Sequence, residues 1–233
     1  MSYVTLSTLR DHLMKVVPGE TILVEYSPST WPHIAFYFIS KIALENGNYI
    51  IIDDILDTLY FYKVQLEMGG FNTDFLDDEK VSVIKIGGHR KIGNVVSSIE
   101  FASDFYVHRE MYRKSFSKVL EGGEFFVDIV LGFERRLLMT KTPYDRFLFL
   151  AHRAHYLGNK KRIAVYLVNV ELLKECSMAL SILEETSTSV VRLEEKNGWE
   201  TINFIKSPVP QLDGRRFKVD MNNIINYLRG GKS

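Results

Sequence analysis

The chain has 233 residues, and its 29 Lys and Arg balance 29 Asp and Glu, so the formal net charge is zero. Hydrophobic residues make up 46%, with 15 Phe, 12 Tyr and 2 Trp, which excludes a disordered or collagen-like chain and leaves room for a large core. A single cysteine, Cys176, excludes disulfide scaffolding and reads as a buried thiol, while balanced charge argues against a dedicated nucleic-acid or anionic-membrane surface.

Arg10, Asp11, His12 and Lys15 interrupt any apolar leader, and no uninterrupted apolar run approaches about 18 residues, so a cytoplasmic protein without a membrane span is expected. A helical pattern from Leu6 to Val16, capped by Thr5 or Ser7, precedes the turn Pro18-Gly19 and a strand at Ile22 to Tyr26. Ser27-Pro28-Ser29-Thr30 then turns the chain into a helix from Pro32 to Glu45, with its Ser and Thr hydroxyls as caps. Tyr49 to Asp53 is an apolar run suited to a strand buried on both faces. A helix from Ile55 to Met68 and a strand from Val81 to Ile86 repeat the alternation.

Gly93 to Leu120 carries mixed signals, with a helix over Asp104 to Leu120. Further on come a strand at Phe125 to Gly132, a helix from Pro143 to Leu157, a strand at Arg162 to Asn169 and a helix from Glu171 to Glu184. Ser189 to Glu195 and Trp199 to Lys206 flank Lys196-Asn197-Gly198, a strong hairpin signal. A short strand at Phe217 to Val219 and a small helix to Leu228 close the chain. This succession implies an α/β fold: a largely parallel central sheet flanked by helices, with a C-terminal antiparallel hairpin at one edge. No Pro/Gly/Ser-rich linker divides it and no fixed-period repeat occurs, so 1–233 is expected to form a single domain.

Four stretches, Val17 to Gly47, YIIIDD at Tyr49 to Asp54, FFVDIVLG at Phe125 to Gly132, and Ser189 to Pro208, resemble in order the opening strand with nucleotide loop and helix, the acidic strand end, the magnesium-associated strand and the closing hairpin of RecA/KaiC-like P-loop ATPase cores. More narrowly, the chain resembles the archaeal KaiC-like family known as domain of unknown function 257. The resemblance implies a RecA/KaiC-like P-loop NTPase fold, subunit contacts of the homo-oligomeric kind, and Asp53, Asp54 and Asp128 as the positions for holding a metal or water if activity is retained. Carboxylates beyond strand ends are suited to such work, but Asp53 and Asp54 also suit a helix cap and a solvent-facing group.

The loop in the nucleotide position reads EYSPSTWPH, Glu25 to His33. A phosphate loop needs glycines, so that N–H groups converge, and a Lys; this loop has neither. Pro28 and Pro32 remove donors and Glu25 adds negative charge, so there is no standard Walker A, and Ser27, Ser29 and Thr30 serve as helix caps or residual anion contacts. A second glycine loop, GHRKIGN, has Gly88 and Gly93 around His89, Arg90 and Lys91, and is read as an exposed basic loop or a weak anion-binding loop.

His152 and His155 share a helix face but lack further metal ligands, so they read as a core or surface pair, and no metal is expected. The aromatics Tyr60, Phe61, Tyr62, Phe101, Phe105, Tyr106, Tyr112 and Phe116 are mostly core, with a recognition or subunit surface as their other use. The combined expectation is a non-catalytic KaiC-like oligomerising or protein/peptide-binding module with no cofactor. The alternatives are a divergent nucleotide-binding enzyme and, behind it, a DNA-associated protein disfavoured by the zero net charge.

Overall fold

The continuous apolar runs become the middle of a sheet. In the computed structural model, which describes residues 2–3, 10–11, 15–119, 124–196 and 199–229, the strands are β1 (Ser2–Tyr3), β2 (Thr21–Tyr26), β3 (Tyr49–Ile55), β4 (Val81–Ile86), β5 (Val95–Ile99), β6 (Phe126–Leu131), β7 (Arg162–Asn169), β8 (Ser189–Lys196), β9 (Trp199–Lys206) and β10 (Arg216–Asp220). Their spatial order is β1-β10-β9-β8-β2-β7-β6-β3-β4-β5. Every pairing from β8 to β5 is parallel, β9 is antiparallel to both β8 and β10, and β1 adds parallel to β10. The helices are α1 (Pro32–Glu45), α2 (Thr58–Met68), α3 (Phe105–Val119), α4 (Phe133–Leu138), α5 (Pro143–His152), α6 (Ser177–Glu185) and α7 (Met221–Leu228).

Helices cover both faces, so successive residues of one strand enter different cores. Ile22, Val24, Ile50 and Ile52 pack with α1, α2 and α7 through Ile34, Phe36, Leu59, Leu66 and Ile224. Leu23, Ile51 and Ile55 pack on the opposite side with α3 to α6 through Phe105, Phe133, Leu137, Phe149 and Leu183. This period of two inside an uninterrupted apolar run is the reason for the run: both side-chain directions end in hydrocarbon.

The strands at Val81–Ile86 and Arg162–Asn169 and the helix at Pro32–Glu45 match the sequence reading. Several boundaries differ. Ile55 belongs to β3, where it pairs with Ile86, and α2 begins only at Thr58 after Leu56 and Asp57 adopt positive φ of 54° and 64°. The helices expected at Pro143 to Leu157 and Glu171 to Glu184 each contain a 3₁₀ stretch, Arg153–Tyr156 and Val170–Cys176, and Gly93 to Leu120 resolves into β5 and α3. The hairpin of β8 and β9 is not the sheet edge, because β10 and β1 extend beyond it. Ser27, Ser29 and Thr30 do not cap α1: the N-cap is Trp31, without a side-chain cap bond, and the Thr30 hydroxyl donates to the Ser27 carbonyl instead. The Leu6 to Val16 helix and its caps lie mostly outside the described residues, as do Leu120 and the Asn197-Gly198 turn. Cys176 is buried.

Gly132 joins β6 to α4 with φ of +79°, and a Cβ there would stand 2.7 Å from the Ile55 carbonyl oxygen and collide with the Thr58 hydroxyl. Backbone and buried side chain cannot both give way. Gly132→Ala is therefore expected to lower the unfolding free energy by about 2 kcal/mol or more in urea titration; an unchanged midpoint would contradict this turn geometry.

Candidate functional site

At the C-terminal end of β2, in the nucleotide-loop position, the chain bonds to itself. The Thr30 N–H and hydroxyl donate to the Ser27 carbonyl at 3.0 and 2.8 Å, and the Ser27 and Ser29 hydroxyls share a 2.7 Å bond. Pro28 and Pro32 have no N–H to offer. The N–H of Trp31, the N-cap just before α1, donates to the carboxylate of Glu200 on β9. Burial raises the Glu200 carboxyl to about 7. Glu25 is fully buried with the Arg192 guanidinium at 2.7 Å, yet burial outweighs that partner and raises Glu25 to about 7 as well.

The second glycine loop also holds a carboxylate of this chain. Asp57 accepts the N–H groups of His89 at 2.9 Å and Arg90 at 2.8 Å, and it pairs with Lys85. Burial opposes its charge, but the Lys85 ammonium and the two N–H donors prevail and hold Asp57 at about 2. Gly88 is left-handed and its Cα faces this carboxylate, which a Cβ would meet at 2.6 Å. Arg90 lies over the Tyr60 ring at 5.1 Å, Lys91 is exposed, and Gly93 adopts φ of +69° under the Leu76 carbonyl. Asp57 was not singled out by sequence; its place just after Asp53-Asp54 was the available signal.

Asp53 and Asp54 part company because neighbours on a strand face opposite layers. Asp54 accepts the Leu59 N–H at 2.9 Å and the Lys85 ammonium at 2.6 Å, which anchors the start of α2 to β4. Asp53 does not face solvent, as one reading allowed: it is buried on the other side and accepts the Tyr112 hydroxyl at 2.7 Å. There it shares a cavity of about 60 Å³ with Asp128, Arg136, Arg153, Arg162, His108 and His152. Asp128 pairs with Arg162 at 2.9 Å and stands opposite Ile51, in the middle of β6 and short of its end.

Burial, then the neighbouring Asp128, pushes Asp53 well above the usual carboxylate range, and burial lowers His108 to about 3 and His152 to about 4. Asp53 Oδ1, Asp128 Oδ1, and Nε and Nη2 of both Arg136 and Arg162 have no protein partner. The unpartnered donors and acceptors line a polar space large enough for a water or two, the usual way such groups are satisfied. His152 and His155 stack edge-on at 5.3 Å, and no group of three metal-ligating side chains gathers among the described residues.

The carboxylate beyond the end of β6 is Glu134, which sequence reasoning passed over. Its signal was an acidic residue two places after Gly132, in the first turn of α4. Glu134 is 1% exposed, the Asn169 N–H donates to it, and burial raises it to about 7; its Oε2 is unpartnered. Nearby, the Tyr62 hydroxyl donates to that of Tyr26 at 3.2 Å.

On the α1 side of the sheet lies an apolar cavity of about 360 Å³ between α1 and strands β2, β6, β7, β8 and β9.

With this fold and site geometry in view, the family is clear. Residues 11–218 match the family described as Pyrococcus protein of unknown function, DUF257, and the chain belongs to it. No curated protein matches the chain. Among solved structures, PH0250 from Pyrococcus horikoshii is 28% identical, with a TM-score of 0.76 over 88% of this chain and 96% of that one. A KaiC-like protein, PH0186, from the same archaeon is 15% identical at a TM-score of 0.58, over 86% and 85% of the two chains. PH0321 from that organism, solved in complex with an unknown peptide, is 15% identical at 0.59, over 87% and 90%. The architecture is that of RecA/KaiC-like NTPase folds, a mostly parallel sheet flanked by helices with an antiparallel C-terminal hairpin.

Glu134 supplies a test of the buried strand end. Its carboxyl ionises near 7 when folded and near 4.5 when unfolded, so the native state holds the extra proton and its stabilising effect is lost as pH rises through that window. Glu134→Gln should therefore gain stability relative to the parent by on the order of 1 kcal/mol per pH unit across that window. A difference independent of pH in urea titrations would show that Glu134 is not protonated in the fold.

Proposed function

We propose that this protein is a non-catalytic KaiC-like module that works by binding a protein or peptide and by assembling with copies of itself. The observation that carries this reading is the loop at Glu25 to Thr30, which closes on its own hydroxyls while the N–H of Trp31, the N-cap residue just before α1, is taken by Glu200. A triphosphate arriving there would meet two buried carboxyl groups, Glu25 and Glu200, and no lysine, in place of convergent N–H donors. The peptide held by PH0321 supports the binding half of the proposal.

The outer faces of α3 and α5 supply a surface for contact. Tyr106 and Val107 on α3 and Tyr144 and Phe147 on α5 are each more than half exposed, and Tyr106 shares a hydrogen bond with Tyr144. Aromatic groups grouped in this way suit the centre of an interface. The continuous sheet from β1 to β5 supports reading 1–233 as one domain. No helix among the described residues is long and apolar enough to cross a membrane.

Calorimetric titration with Mg-ATP is expected to show no saturable binding. Micromolar binding that Asp54→Ala weakens would sink the non-catalytic reading in favour of a divergent nucleotide-binding enzyme. Solution mass measured by light scattering should be a multiple of the chain mass, and Phe147→Glu should return it to the monomer. A parent that stays monomeric at high micromolar concentration would remove the self-assembly half.

A further inference from the structure

The 360 Å³ cavity is not used by the reading above, and its shape and single charged group point to a ligand. It follows α1 from Ile34 in the first turn to Asn46 at the C-terminal end, a span of about 18 Å at the helical rise. Its walls are aliphatic and aromatic side chains, among them Val24, Phe38, Val165 and Phe204, and Glu200 is the one ionisable residue among the described lining residues. Glu200 is 5% exposed; one of its oxygens receives the Trp31 N–H, and Oε1 has no partner.

Those facts restrict the occupant. A plain hydrocarbon would leave Oε1 buried and unpaired, which is unfavourable. A fatty acid would bring a second carboxylate against the first. Glu195, directly opposite Glu200 on β8, adds further negative potential, and no cation lines the cavity among its described residues. A cationic donor satisfies the free oxygen and offsets its charge.

We propose that this cavity binds an elongated apolar molecule with a single cationic hydrogen-bond-donating head, of the alkylamine class, with the head on Glu200 Oε1 and the chain lying between α1 and the sheet. The site lies against the α1 N-terminus, so the head stands beside the former nucleotide position while the chain runs away from it beneath α1. The proposal does not depend on whether ATP binds.

Decylamine, decanol and decanoate, each titrated calorimetrically into the full chain below its aggregation concentration and at mildly alkaline pH, provide the test. One decylamine per chain is expected, with decanoate about tenfold or more weaker and decanol between them. Glu200→Gln should remove the preference for amine over acid, and Ala35→Phe, which fills the cavity, should abolish binding of all three. Urea midpoints establish that each variant folds, and Glu200→Gln carries the test if Ala35→Phe does not. Absence of decylamine binding, equal binding of decanoate, or full amine preference in Glu200→Gln would each overturn the proposal.

Discussion

Strands β2, β3, β6 and β7 run through the middle of a sheet covered by helices on both faces, so nearly every side chain they carry, apart from a few at the strand ends, leaves water, whether apolar or charged. The hydrocarbon residues gain from this, at about 25 cal/mol per Å² of apolar surface. Glu25, Asp53, Asp54 and Asp128 each leave water along with them and require a partner or a proton. Arg192, Tyr112, Lys85 and Arg162 are the partners, and each comes from a different element, which ties β8, α3, β4 and β7 to the central strands. Pairs of this kind fix register and helix placement more than they add stability.

The same burial redirects the chemistry of the fold. Backbone N–H groups are the natural partners of anions, and this chain presents them just before α1, at Trp31, and in the glycine loop after β4, at His89 and Arg90. In this chain each is filled from within, by Glu200 at the first and Asp57 at the second. An internal carboxylate gives the N–H groups the charge they favour without a ligand, and its attachment to the chain makes it a persistent competitor for any phosphate. The architecture of the NTPase fold persists, while both of these N–H positions already hold a carboxylate of the chain.

Much of the fold was legible in the sequence. The runs ILVEY, YIIID, VSVIKI and RIAVYLVN read as strands, YIIID as one buried on both faces, and Asn-Gly between Glu195 and Trp199 marked the flanks of a hairpin. The short helix α4 and the strands β1 and β5 were not legible: α4 has six residues, β1 has two, and β5 carries the polar Ser97 and Ser98 that an edge position tolerates. Residues 27–30 were misread as caps because Ser and Thr before a helix usually cap it, whereas here Pro28 bends the loop so that their hydroxyls meet one another and the Ser27 carbonyl.

Sequence alone determined that the phosphate loop lacks glycine and lysine, since that absence is a matter of composition at one short stretch. It also placed Asp53 and Asp54 near the end of a buried strand, which in the structure runs on to Ile55. Only the tertiary structure decided that these neighbours serve opposite faces, that Asp53 meets Asp128 and three arginines, and that Glu200, some 170 residues along the chain from Glu25 and Ser27, reaches the head of α1. Strand pairing brings those groups together, and it depends on register across β9, β8 and β2 and on which face each residue takes, which no local pattern of residues contains.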